Sequence, residues 1–169
     1  MGMESIALDN VCTMLNNRGY IVIERTDNKV LAEDFDENKI LVICSDEQKL
    51  NMSTIKEILV ILEEHSFNHC ILIYKESITS SAKKIIETLP AIKIELFSMD
   101  ELQYNLIEHE LVPLHERLEG EEMRFIKKEW GSKLPTILKN DAVSRYYNYS
   151  RGDIIKVTRP DGIVYRIVK

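Results

Sequence analysis

The sequence predicts an α/β domain over residues 1–108 and a small α+β domain over residues 109–169. Three observations carry this. Through the first 108 residues, apolar runs of strand length alternate with segments of helical periodicity, the pattern of a sheet containing parallel pairs. After residue 108 the pattern changes to short helical faces and two alternating strands around a "PDG" turn. The charge changes sign at the same place. Residues 109–169 hold 12 of the 22 Lys+Arg and 9 of the 28 Asp+Glu, a net of +3, which leaves −9 for residues 1–108.

The elements follow in order. Residues 4–18, "ESIALDNVCTMLNNR", put Ile6, Leu8, Val11, Met14 and Leu15 on one helical stripe, and Gly19 stands where a C-cap glycine is wanted. "YIVIE" (20–24) reads as a strand, and the polar stretch 27–39 as a turn-like connection. "ILVIC" (40–44) is a continuous apolar run, expected of a strand covered on both faces. Thr54 and Glu57 have capping-box spacing ahead of a face of Ile55, Ile58, Leu59 and Leu62. "CILIY" (70–74) is another buried strand. Ala82, Ile85, Ile86 and Leu89 form a helix face stopped by Pro90. "IKIELF" (92–97) is a strand, and Ser98 with Glu101 offers a second capping box before a further helix.

In the second domain, residues 119–130 place Met123, Ile126 and Trp130 on one helical face, with acids early and lysines late, and Gly131 ends the helix. "LPTIL" (134–138) is extended. "DAVSRYY" (141–147) is a short helix with Asp141 as its N-cap. "DIIKVTR" (153–159) and "IVYRIVK" (163–169) are the closing strands.

Composition narrows the function classes. At 44% hydrophobic and 30% charged, the chain has the make-up of a folded, soluble protein, and no apolar run approaches the roughly 18 residues of a membrane span. No membrane association, secretory signal or myristoylation is expected from "MGMESIALDN". Cys12, Cys44 and Cys70 are odd in number and sit in apolar patterns, so free buried thiols in a reducing compartment are expected. The acidic first domain argues against broad electrostatic capture of nucleic acid by that half.

Several constellations resemble chemical sites. "HELVPLH" has His109 and His115 six residues apart, about 600° around a helix, so they face different sides, and Pro113 would break the helix. A metal is not expected there, and an exposed charged segment bending at Pro113 is. His65 and His69 are four apart, but no fourth ligand accompanies them and Cys70. Asp34, Asp36 and Glu37 precede Lys39 at the start of a strand, an acid-x-Lys arrangement that suits a metal-dependent nuclease and equally a solvated loop. "ITSSAKK" (78–84) opens a helix with Thr79, Ser80 and Ser81 ahead of Lys83. Free N–H groups there suit a phosphate oxygen, or Thr79 or Ser80 simply caps the helix. No Gly-rich phosphate loop is present, no catalytic set stands out, and no cofactor is expected.

"HELVPLH", "LPTIL", "DAVSRYY", "RGDIIKVTRP" and the closing "YRIVK" closely resemble the signature of the shared fifth subunit of eukaryotic nuclear RNA polymerases and of its archaeal counterpart. "MLNNRGY", "ILVI", "TIKEI", "HCILIY", "ITSSAKK" and "ELF..DEL..N..EHELVP" extend the resemblance over essentially the whole chain. Archaeal forms lack the first half, so the resemblance is to the eukaryotic or large-DNA-virus type.

The resemblance implies an α/β N-terminal jaw with a restriction-endonuclease-like mixed sheet that is not a catalyst. It also implies a small α+β C-terminal assembly domain. The assembly domain is expected to dock on the largest subunit and the jaw to lie beside downstream duplex DNA. One copy per polymerase is expected, in the nucleus, or in a virus factory or virion for a viral form. "ITSSA" matches the family's Thr-Pro-Ser-Ala segment, with Ser80 in place of the proline, so Thr79, Ser80, Ser81 and Lys83 are expected near DNA. Pro113 at the joint, and Arg145, Tyr146, Arg151, Gly152, Arg159, Pro160, Tyr165 and Arg166 at motif positions, are expected at the partner interface or in the small fold, with Gly152 in a turn. The connection at 27–39 and the final hairpin "RPDGIVYR" are shorter than the family's. The alternatives are a nuclease-like enzyme using Asp34 or Asp36, Glu37 and Lys39, and a free DNA-binding protein.

Overall fold

The computed structural model describes residues 2–169, and its contacts divide the chain into two compact units, Met1–Tyr104 and Asn105–Lys169. The first is a mixed α/β unit. It runs α1 (Met3–Asn17), β1 (Ile21–Arg25), β2 (Lys29–Glu33), β3 (Lys39–Cys44), β4 (Lys49–Leu50), α2 (Met52–Glu64), β5 (His69–Tyr74), β6 (Ser77–Ile78), α3 (Ser80–Thr88) and β7 (Lys93–Ser98). The main sheet has the order β1-β2-β3-β5-β7. β1, β2 and β3 form an antiparallel meander, while β3, β5 and β7 are parallel and joined by crossovers through α2 and α3. Both crossovers share one hand, which lays both helices on one face.

Register assigns the two faces. Val30, Ala32, Ile40, Val42, Ile71 and Ile73 fall on one face, all fully buried, and α1 brings Ala7, Leu8, Val11, Met14 and Leu15 to it. On the other, Leu41, Ile43, Cys70 and Leu72 meet Ile55, Ile58 and Leu62 of α2 and Ala82 and Ile86 of α3. This double cover is why "ILVIC" reads as one unbroken apolar run. The three cysteines are free, with Cys44 and Cys70 buried and Cys12 half-buried. Burial pushes the Cys70 thiol up to about 12.

Three expectations are corrected here. The stretch 27–39 is not all connection: β2 lies within it, with Val30 and Ala32 inward and Lys29 and Glu33 at its ends. α2 is capped by Asn51, not by a Thr54–Glu57 box. The Asn51 side-chain oxygen accepts from the Ser53 and Thr54 amides at 2.7 and 3.2 Å, and the Thr54 hydroxyl donates to Glu47 instead, at 2.6 Å. Ser98 and Glu101 do form a reciprocal box, at 2.8 and 3.2 Å, but it heads a single 3₁₀ turn, Glu101–Gln103, in place of a full helix.

The second unit is α+β. It contains β8 (Leu114–Arg117), α4 (Gly120–Glu129), β9 (Thr136–Ile137), α5 (Ala142–Tyr146), β10 (Ile154–Arg159) and β11 (Gly162–Val168), with sheet order β8-β10-β11-β9. Only β9 joins in parallel. On one face, Leu118 and Ile154 pack under Ile126 of α4 with Met123, Tyr165 and Ile167 at the margin. On the other, Ile155, Val157 and Val168 meet Ile137 and Tyr149, on whose ring Tyr147 stacks at 5.3 Å. Asp141 caps α5 through the Val143 amide at 2.9 Å.

Two further expectations give way. The segment after Pro113 is strand β8, not merely an exposed bend, because residues 114–117 pair with 155–158 of β10. Trp130 does not share the buried face of Ile126. It is the C-terminal flanking residue of α4 and 56% exposed, since Gly131 at φ +30° turns the chain there. Among the described residues, no helix is long and apolar enough to cross a membrane.

Candidate nucleic-acid and partner interfaces

The start of α3 is the most strongly positioned of the surfaces marked by sequence. β4 and β6 form a short parallel ladder, Lys49 opposite Ser77 and Leu50 opposite Ile78. Each strand leads directly into a helix, so Asn51 and Thr79, the N-caps of α2 and α3, occupy the next register position. The Thr79 amide donates to Leu50 O at 3.0 Å, and its hydroxyl accepts from the Ala82 amide at 3.2 Å. Thr79 is therefore the cap, and Ser80 is the first helical residue. The Ser81 hydroxyl lies 3.2 Å from that of Thr79. Ser80, Ser81, Lys83, Lys84 and Lys49 are exposed.

The motif residues of the second unit divide into fold and surface. Tyr146 is buried in α5. Tyr165 donates to a Glu122 carboxylate oxygen at 3.3 Å, and Arg166 donates to Thr136 O at 3.2 Å, tying β11 to β9. Gly152 sits at φ +92° in the turn before β10. Arg145 is half-buried in α5. Arg151 and Gly152 precede β10, whereas Arg159 is its last residue and Pro160 follows it, so the two groups stand about 20 Å apart along the strand. Pro113 is half-buried at the Arg159 end, because Leu114 pairs with Thr158. These positions do not form one patch.

The metal-like patterns resolve into local hydrogen bonding. His109 Nδ1 accepts from the Leu111 amide at 3.2 Å, and His115 Nδ1 lies 2.7 Å from Pro113 O. His65 ends α2, while His69 is drawn into β5. Asp34 binds its own hairpin: Oδ1 accepts from the Asp36 and Asn38 amides at 2.9 and 2.8 Å. Asp36 and Glu37 are exposed turn residues, and Lys39 approaches Glu33 at 3.8 Å. Among the described residues, no group of three His, Cys, Asp or Glu side chains is placed to hold a metal ion.

One cluster escaped the sequence reading. Glu95 in β7 accepts from both terminal nitrogens of Arg18 at 2.9 Å and lies 2.6 Å from His69 Nε2. Their side chains are only 12%, 3% and 17% exposed. Burial would push the Glu95 carboxyl up, but the His69 hydrogen bond and the Arg18 guanidinium outweigh it and hold it down at about 2. The one available signal was a polar residue in each of two otherwise apolar strands, His69 opening "HCILIY" and Glu95 within "IKIELF".

These features define a two-unit mixed α/β protein that presents hydroxyl, basic and apolar side chains at exposed element ends. The sequence family described as RNA polymerase Rpb5, C-terminal domain, matches residues 104–168, which overlie the second unit. Over the whole chain, the DNA-directed RNA polymerases I, II, and III subunit RPABC1 of Caenorhabditis elegans is 32% identical across 193 aligned residues, covering 94% of this chain and 92% of that one. The corresponding subunit of Dictyostelium discoideum is 31% identical, covering 94% and 90%. Among solved structures, a repair endonuclease from Pyrococcus abyssi aligns at TM-score 0.39 and 18% identity, covering 56% of this chain and 46% of that one, too distant to bear on function. The chain belongs to the family of the fifth subunit shared by RNA polymerases I, II and III.

Proposed function

We propose that this chain is a non-catalytic subunit of a nuclear DNA-directed RNA polymerase, present once per enzyme. The observation that carries the reading is that the polymerase relatives align across 94% of the chain, both units included. The second unit is the assembly domain, docking on the largest subunit through the end that presents Pro113, Arg159 and Pro160. The first unit is the jaw, a mixed sheet of restriction-endonuclease-like kind beside incoming duplex DNA.

The start of α3 supports the DNA-facing role. The β4–β6 ladder sets two helix N-termini side by side, each a positive dipole end. Ser80, Ser81, Lys83 and Lys84 stand exposed around them, and Lys49 flanks α2. This local positive region lies on a domain of net charge −9, which suits guiding of DNA already held by an enzyme better than capture of free DNA.

Purification of the tagged chain from its source cells tests the reading. Recovery of the largest polymerase subunit at mild salt is expected, and its absence overturns the assignment. A photo-crosslinker at Ser80 in that complex, halted on a DNA template, is expected to label the downstream duplex.

A further inference from the structure

The sheet of the second unit has a regular free edge at β8. Its hydrogen bonding follows from three bonds at the ends of β10. The Leu118 amide donates to Ile154 O at 2.8 Å, while the Gly152 amide donates to Val168 O and the Val168 amide to Asp153 O, both at 2.9 Å. Antiparallel ladders alternate. Ile154, Lys156 and Thr158 therefore bond toward β8, and Ile155, Val157 and Arg159 toward β11. On β8 itself, Leu114 and Glu116 turn their backbone groups inward. His115 and Arg117 turn theirs out, beyond the last strand of the sheet. The Tyr149 hydroxyl donates to one of the outward carbonyls, His115 O, at 3.3 Å. The His115 amide and both backbone groups of Arg117 remain directed outward.

The other edges are blunted in ways that stop strand pairing. β1 has a bulge between Val22 and Glu24, β9 has two residues, and β7 carries the inward carboxylate of Glu95. β8 has no bulge. Beside it, Leu114, Thr158 and Ile163 form one row across three strands. Leu114 is 54% and Ile163 53% exposed, because Ile126 of α4 packs on this face only at its opposite end, over Leu118 and Ile154. Glu116 is the next residue on the same face as Leu114. Its cross-strand neighbour Lys156 reaches Glu122 at 3.8 Å, and among the described residues no basic side chain pairs with Glu116.

We infer that β8 receives an extended segment of the largest polymerase subunit as an added strand. Backbone bonds form to His115 and Arg117. An apolar side chain of the segment covers Leu114, at the outer end of the exposed row, and a basic side chain two residues away meets Glu116. The inference rests on the docking reading above and specifies its mode: main-chain pairing supplies affinity, and the alternating apolar and basic positions supply selectivity.

The test uses the tagged full-length chain in its polymerase. Arg117→Pro removes an outward N–H that the β10 ladder does not use, so the fold is expected to survive, as read by thermal melting. Recovery of the largest subunit is expected to fall at least tenfold. Arg117→Ala, which keeps the amide, is expected to recover it at the wild-type level. A folded Arg117→Pro variant that recovers polymerase as wild type does, or an equal loss with Arg117→Ala, overturns strand addition. Failure of the wild-type chain itself to recover polymerase overturns the docking reading instead. Should Arg117→Pro melt early, amide exchange on the assembled wild-type enzyme decides: protection of His115 and Arg117 beyond the free chain is expected, and none overturns the proposal.

Discussion

The Glu95 carboxylate lies 2.6 Å from Nε2 of His69 while it grips Arg18 with both oxygens, and this pairing makes the first unit sensitive to acid. The carboxyl is held at about 2 in the folded chain against 4.5 for an ordinary glutamate. The stabilisation is complete above pH 4.5 and is lost as pH falls through about 2. The difference corresponds to roughly 3 kcal/mol. Urea unfolding between pH 6 and pH 2 is expected to show that loss. Glu95→Gln leaves the Arg18 charge buried without its counterion, so it is expected to cost about 3–5 kcal/mol at pH 7 and to flatten the acid limb.

This cluster also marks where the sequence stops being informative. β3 and β5 are legible because their apolar runs need no distant partner to be recognised, and α1 because its stripe is regular. The caps Thr79 and Asp141 are legible because capping is local. β2 is obscured because only Val30 and Ala32 are fully buried between charged ends. β8 is obscured because three of its four residues are polar, and pairing with β10 is what makes it a strand. Arg18 and Glu95 are 77 residues apart, and only the folded sheet brings α1's end to β7. The hydroxyl and lysine residues at the start of α3 stand out in the sequence, but their placement beside the start of α2 depends on the β4–β6 ladder, two residues per strand.

The place of Ser80 in its helix predicts what a proline there does. It is the first residue of α3, where a missing N–H costs nothing and a fixed φ suits the helix. Thr79 before it is already extended, at φ −69° and ψ 149°, as a residue preceding proline must be. Ser80→Pro is therefore expected to raise stability by about 0.4–1 kcal/mol through the unfolded chain. Thr79→Ala is expected to lower it by about 1 kcal/mol through the lost cap. Thermal melting of the two variants beside the wild-type chain checks both signs.

Asp34 separates a hairpin-holding carboxylate from a metal ligand. Its Oδ1 accepts from the Asp36 and Asn38 amides, and its Oδ2 from the Asn38 side chain at 2.9 Å. The Asn38 hydrogen bonds hold its carboxyl below the ordinary aspartate value. They also keep Glu37 in the left-handed region at φ +63°, between β2 and β3. Asp34→Ala is expected to lower Tm by loosening this turn, and Lys39→Ala to leave it nearly unchanged. Millimolar Mg²⁺ is expected to shift none of the three melting curves, because the Asp34 oxygens are already committed to backbone and amide donors and no three carboxylates converge among the described residues. A Mg²⁺-dependent rise in Tm for wild type that disappears in Asp34→Ala, together with DNA cleavage abolished by Lys39→Ala, would instead establish the nuclease arrangement at this hairpin.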